Sequence, residues 1–145
     1  MDTNRIGLAL ATALQPGDLV CISGPLGAGK SELCRAIIRA LLGSETIEVP
    51  SPSYTLVNVY DHPTHEIWHA DLYRIGDESE LEEIGLEDAI ETSIVLVEWP
   101  ERWPELPGRR LEIDIRPSEQ DIREFMITGI GKAWEKTVQS LKVRR

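Results

Sequence analysis

The residues best able to do chemistry stand in one short run, Gly24-Pro25-Leu26-Gly27-Ala28-Gly29-Lys30-Ser31. A glycine, four free positions and then Gly-Lys-Ser is the pattern of a loop that wraps phosphate. Glycines let successive backbone N–H groups turn inward toward an anion, and a helix starting at the end of the loop adds the positive end of its dipole. Lys30 is placed to reach the outer phosphates, and the Ser31 hydroxyl to ligate magnesium. Backbone amides from Gly27 through Glu32 would hold the phosphates. The plain alternative is a glycine turn that merely begins a helix. The flanks argue against it: Leu19-Val20-Cys21-Ile22-Ser23 has strand character, and residues 32–42 carry apolar side chains at 33, 37, 38 and 41, the spacing of a helix.

Two acids stand where strands end. Glu-Ile-Trp-His-Ala over residues 66–70 runs into Asp71, and Ser-Ile-Val-Leu-Val over residues 93–97 runs into Glu98. Four apolar residues closed by an acid mark a central strand whose tip carries a carboxylate, the form that the second nucleotide motif of P-loop proteins takes. With the phosphate loop they make a site for a magnesium nucleoside triphosphate: Ser31, Asp71 and Glu98 on the metal, Lys30 neutralising charge, and Glu98 orienting a hydrolytic water. A strand-terminal Asp that caps the next segment is the simpler account of Asp71. By strand alternation Trp99 faces away from Glu98, which suits a core role. His69 reads as a hydrogen-bonded structural histidine, because partners at metal-ligand spacing are missing from the sequence.

These residues need a scaffold, and the rest of the chain reads as a three-layer α/β fold, a central mixed sheet flanked by helices, in one domain over residues 1–145. Residues 2–14 form a first helix that ends at Gln-Pro-Gly. Residues 54–61 and 66–70 pair as a hairpin. Residues 78–90 are helical, with an interruption at Gly85 and the carboxylates on a solvated face. Residues 109–116 alternate Leu111, Ile113 and Ile115 against polar neighbours, and residues 121–129 return beside them across a turn at 117–120. Residues 132–142 form a last helix with a basic face. Between the first hairpin and the phosphate-loop helix lie residues 47–53, where Pro50 and Pro52 preclude a regular helix. A hydroxyl-rich loop at that place can be an ordinary stiff connector or the first sensing segment of a nucleotide switch.

A net charge of −10 argues against direct nucleic-acid binding by the surface as a whole. Neither a charged-then-apolar leader nor an apolar run near the ~20 residues of a membrane span is present, so a cytoplasmic location is expected. Cys21 and Cys34 have no Cys-x-x-Cys or Cys/His spacing and read as buried reduced thiols. Guanine specificity uses an Asn-Lys-x-Asp segment; neither Asn4 nor Asn58 is followed by Lys, which favours ATP.

Gly-Pro-Leu-Gly-Ala-Gly-Lys-Ser-Glu-Leu at 24–33, Ser-Pro-Ser-Tyr-Thr-Leu at 51–56, His-Ala-Asp-Leu-Tyr-Arg at 69–74 and Val-Glu-Trp-Pro-Glu-Arg at 97–102 follow one another in an order and spacing that resembles the TsaE (YjeE) family of bacterial ATPases. The resemblance covers nearly the whole chain. It implies ATP hydrolysis in the threonylcarbamoyladenosine modification of tRNA, within a complex with TsaB and TsaD, the tRNA being met only through that complex. It also implies that Ser51, Ser53 and Thr55 belong to a switch, that Asp71 and Glu98 serve the magnesium site, that Trp99 is near it, and that Thr3 is close to the adenine. Pro25, Ser31, Glu32 and Ser53 stand where the family usually has Asp, Thr, a small residue and Thr. Ser31 and Ser53 keep the hydroxyl, Pro25 removes a backbone N–H from the loop's rim, and Glu32 places a negative charge beside the phosphates unless it is turned outward.

Three functions remain open on these residues. A partner-driven ATPase comes first, since a chain this short has little room for a second substrate. The others are a nucleotide-gated adaptor whose hydrolysis is incidental and a small-molecule kinase, the latter disfavoured because only Arg102, Arg109 and Arg110 follow Glu98 as candidates for a lid.

Overall fold

The computed structural model describes residues 3–118, 123–131 and 134. In chain order the elements are α1 (Thr3–Ala13), β1 (Leu19–Ser23), α2 (Lys30–Leu42), β2 (Val57–Asp61), β3 (Glu66–Asp71), α3 (Glu78–Ile84), α4 (Leu86–Thr92), β4 (Ile94–Glu98), β5 (Arg110–Pro117) and β6 (Arg123–Ile130). The six strands form one sheet in the order β2-β3-β4-β1-β5-β6. The inner strands β3, β4, β1 and β5 run parallel, and the outer β2 and β6 pair antiparallel to their neighbours.

Why each strand takes its place follows from its side chains. All five residues of β4 are buried, and so are the first four of β1. A continuous apolar run suits a strand covered on both faces. In β5, Leu111, Ile113 and Ile115 are buried while the residues between them are not, and β6 alternates between half-buried and exposed positions. Such alternation belongs to strands with one solvated face.

Two apolar clusters lie on the two sides of this sheet. One joins Ile6 and Leu10 of α1 and Leu33, Ile37 and Ile38 of α2 to Val20, Ile22, Ile94 and Leu96. The other joins Leu81, Leu86 and Ala89 of α3 and α4 to Leu19, Cys21, Val95 and Val97. Helices therefore cover both faces, the three-layer α/β arrangement expected. No helix among the described residues is long and apolar enough to cross a membrane.

The helix from 78 to 90 is interrupted at Gly85 as its sequence suggests. Gly85 takes φ 79°, ending α3 and opening α4, and the Asp77 carboxylate caps α3 by accepting from the Glu80 N–H at 3.0 Å. Several boundaries shift by a residue or two, and two of the shifts have a plain local cause. α2 begins at Lys30 rather than 32, because the end of the phosphate loop is already the first helical turn. β2 begins at Val57 rather than 54, because Leu56 has φ 68° and its N–H bonds back to the Pro52 carbonyl at 2.8 Å, closing a turn over residues 52–56. Residues 119 and 120 of the turn expected at 117–120, and nearly all of the residues expected to form the last helix, lie outside the described residues.

α1 packs on α2 at a glycine. A Cβ on Gly7 would sit 2.7 Å from Ala36 Cβ and 2.9 Å from the Ala36 carbonyl carbon. Alanine favours a helix over glycine by about 1 kcal/mol, whereas overpacking a tight contact costs about 1–3 kcal/mol. Part of the obstruction is backbone, so the second effect wins. Gly7→Ala is expected to lower stability by about 1 kcal/mol in urea unfolding, and Gly7→Val by more. An unchanged midpoint for both would show that α1 can back away from α2 freely.

Candidate functional site

The site starts from the loop between β1 and α2. Gly24, Gly27 and Gly29 have φ of 148°, 78° and 104°, in the left-handed range that a side chain resists. Gly24 has a second reason, since a Cβ there would lie 2.5 Å from the Ile115 carbonyl oxygen. Gly29 is the N-cap of α2 and has no side chain with which to cap it. The first N–H groups of the helix are thus left to the loop's concavity, a ready anion site. Ala28, by contrast, is buried in the core at the base of the loop.

Lys30 is drawn back over this loop. Its Nζ donates to the carbonyls of Gly24 at 2.6 Å and Pro25 at 2.8 Å, and stands 4.3 Å from the centroid of the Trp99 ring. Burial lowers its pKa, against the pull of Glu98, Glu101 and Asp71 toward the charged form. Pro25 costs the rim an N–H, but its carbonyl holds both Lys30 and the Ala28 N–H, the latter at 3.1 Å. Trp99 has φ 58° just beyond the end of β4. It packs against the cluster on the face opposite Glu98, as alternation requires, but its ring also reaches the lysine. A purely core role for Trp99 is therefore corrected.

The two acids meet because their strands are in register. β3 and β4 are parallel neighbours with Asp71 opposite Glu98 and His69 opposite Leu96. All four side chains point to the α2 face, where Leu96 packs with Leu33 and Ile37. Ser31, in the first turn of α2, meets them there. Its hydroxyl donates to the Glu98 carboxylate, 3.0 Å from Oε1 and 3.1 Å from Oε2. Asp71 is also buried; its Oδ1 accepts from the Tyr73 N–H at 3.0 Å and its Oδ2 from the Ser53 hydroxyl at 3.3 Å. Asp71 thus does cap the next segment, and it faces the site as well.

His69 was undervalued by its sequence. It is a hydrogen-bonded buried histidine as expected, but its partner is Glu98, with Nε2 2.6 Å from Oε2. Cys34, one helical turn after Ser31, brings its sulfur within 4.8 Å of this pair. Neither neighbour is visible in local spacing, because the three residues come from α2, β3 and β4.

The hydroxyl segment is only partly joined to the site. Ser53 touches Asp71, Ser51 reaches it only through Ser53 at 2.8 Å, and Thr55 turns to Asn58 at 2.8 Å. Thr3 begins α1, and among the described residues no hydrogen bond joins it to the phosphate loop. Glu32 is paired with Arg123 of β6, whose Nη1 donates to Glu32 Oε2. That hydrogen bond holds the Glu32 carboxyl below its ordinary pKa. The same guanidinium lies against Gly29, so its positive charge offsets the acid beside the loop. Arg123 was missed because it is 91 residues from Glu32.

A glycine-walled loop between a parallel strand and a helix, with carboxylates at the tips of neighbouring strands, defines a P-loop protein of three-layer α/β form. The chain belongs to the TsaE family: residues 1–125 match the family described as "Threonylcarbamoyl adenosine biosynthesis protein TsaE". It is similar to the tRNA threonylcarbamoyladenosine biosynthesis protein TsaE of Rickettsia bellii, 35% identical over 129 residues, covering 88% of this chain and 89% of that one. The protein of the same description from Bacillus subtilis is 33% identical over 142 residues, covering 97% and 87%. The crystal structure of YdiB from the same bacterium superposes with a TM-score of 0.78 at 28% identity, over 98% of this chain and 88% of that one.

Both thiols are closed off by this packing. Cys21 and Cys34 are free and buried; burial pushes Cys21 up to about 12 and Cys34 well above the ordinary thiol range. Neither should react with Ellman's reagent at pH 8 in the native protein, and both should react once guanidinium unfolds it. Fast native reaction at either would contradict the packing of α2 and β1 on the sheet.

Proposed function

We propose that residues 1–145 form one cytoplasmic ATPase domain that binds and hydrolyses Mg-ATP in a complex with TsaB and TsaD, supporting the threonylcarbamoyladenosine modification of tRNA. The observation that carries this reading is the hydrogen bond from Ser31 of the phosphate loop to Glu98 at the tip of β4, across 67 residues. It joins the phosphate-binding and hydrolytic halves of one site. The descriptions of the relatives as tRNA threonylcarbamoyladenosine biosynthesis proteins support the pathway. TsaB and TsaD, and a tRNA met only through them, come with the family resemblance.

In this reading the amides of Gly27, Ala28, Gly29, Lys30, Ser31 and Glu32 bind the phosphates, with Gly24 letting the loop turn back. Lys30 exchanges the Gly24 and Pro25 carbonyls for phosphate oxygens, which are stronger partners for an ammonium. Thr3 serves the adenine side. Magnesium fits the donors present: Ser31, Asp71 and Glu98 supply an all-oxygen set with two carboxylates, the kind that hard cations take. Bound there, the ion would neutralise charge on the phosphates as the terminal P–O bond breaks. Glu98 orients the attacking water and accepts its proton. The Ser51, Ser53 and Thr55 segment senses the nucleotide through the Ser53–Asp71 hydrogen bond.

That last contact also favours a second reading, an adaptor in which ATP orders residues 50–55 and hydrolysis is incidental. Two variants separate the readings. Lys30→Ala is expected to weaken ATP binding at least about tenfold, about 1.4 kcal/mol, by fluorescent-nucleotide titration. Glu98→Gln is expected to keep binding but lower phosphate release, measured with TsaB and TsaD present, by about 100-fold. Equal turnover by wild type and Glu98→Gln in that assembly would remove the hydrolytic role. Full tRNA modification by Glu98→Gln would favour the adaptor.

A further inference from the structure

Glu98 is 2% exposed and His69 1%. A carboxylate that dry must be held by donors. It has two, of different kinds. The Ser31 hydroxyl belongs to the phosphate loop, and in the hydrolytic reading it is engaged by the metal and nucleotide. The His69 imidazole belongs to β3 and is independent of both: it stands two residues before Asp71 on the same face and reaches diagonally across the parallel pair to Glu98 Oε2.

The ring's other nitrogen, His69 Nδ1, is buried and has no hydrogen-bond partner among the described residues. Carboxylate oxygens accept, so in this contact His69 Nε2 donates to Glu98 Oε2. Cys34, buried on α2, has its sulfur within 4.8 Å of this pair.

We propose that His69, through its Nε2 hydrogen bond, is the positioning residue for Glu98. It ties down Oε2 and so leaves Oε1 to face the metal and the attacking water while Ser31 changes partners during turnover. This rests on the reading of Glu98 as the hydrolytic acid. Removing a group that orients a metal-site carboxylate typically costs about 10–100-fold in activity.

The test compares three variants with the wild type in Mg-ATP hydrolysis, alone and with TsaB and TsaD, alongside nucleotide titration and thermal melts. The glutamine side chain can put an N–H near the position of Nε2; asparagine mimics Nδ1 and cannot. His69→Ala and His69→Asn are expected to lower kcat by about 10–100-fold with nucleotide Kd unchanged within about twofold, and His69→Gln to recover most of the loss. Adding His69→Ala to Glu98→Gln should cost little more, because the two act as a unit. A folded His69→Ala with wild-type kcat would overturn the proposal, as would His69→Asn matching His69→Gln or a loss confined to KM. If His69→Ala melts too low to assay, the Gln and Asn pair decides. A wild type that hydrolyses no more ATP than Glu98→Gln would instead sink the parent reading.

Discussion

A buried carboxylate at the end of a central strand is the constraint on which the rest of this site depends. Glu98 closes a strand buried along its whole length, so water cannot solvate it and the protein must. Ser31 and His69 do so from two directions. Satisfying that one group ties the start of α2 to the tips of β3 and β4, and so brings the phosphate loop beside the two acids. A shift of α2 along the sheet would leave the acid short of a donor, which makes the geometry stiff where precision matters.

The phosphate loop obeys a complementary constraint, an excess of donors rather than of acceptors. Three of its glycines take backbone angles that other residues resist, and the helix behind it begins without a side-chain cap. Lys30 bends back over the loop and bonds to two of its carbonyls beneath the Trp99 ring. An ammonium held by carbonyls and an aromatic face has weaker partners than phosphate would offer. The loop is thus shaped for an anion, and the lysine is placed close to where one would sit.

Charges at the edge of the site are balanced by residues from afar. Glu32, an acid beside the loop, is offset by Arg123, which also lies against Gly29. On the other side Ser53 joins the proline-stiffened segment to Asp71. Through these contacts the β5–β6 hairpin and the turn over residues 52–56 both touch the site, although neither supplies the phosphate loop or the acids.

Much of this was legible in order along the chain. The loop, the strand and helix beside it, the acids at strand ends, the break at Gly85 and the alternating β5 all follow from periods of 2 and 3.6 and from glycine's backbone freedom, which are local properties. The errors were local too. Nothing in the composition of residues 54–56 announces the positive φ of Leu56 that delays β2, and strand alternation gives the face of Trp99 but not the reach of its ring to Lys30, beyond the strand's end where the backbone turns left-handed. Read along the chain alone, the set of groups is already present: a phosphate loop, two carboxylates and the hydroxyl of Ser31. Only the tertiary structure decided their partners, making His69 a neighbour of Glu98, Arg123 the counter-charge of Glu32 and Trp99 a cover for Lys30. The reason is that strand register and helix packing join residues far apart in the chain, and a hydrogen bond formed across that distance leaves no periodic trace in either segment.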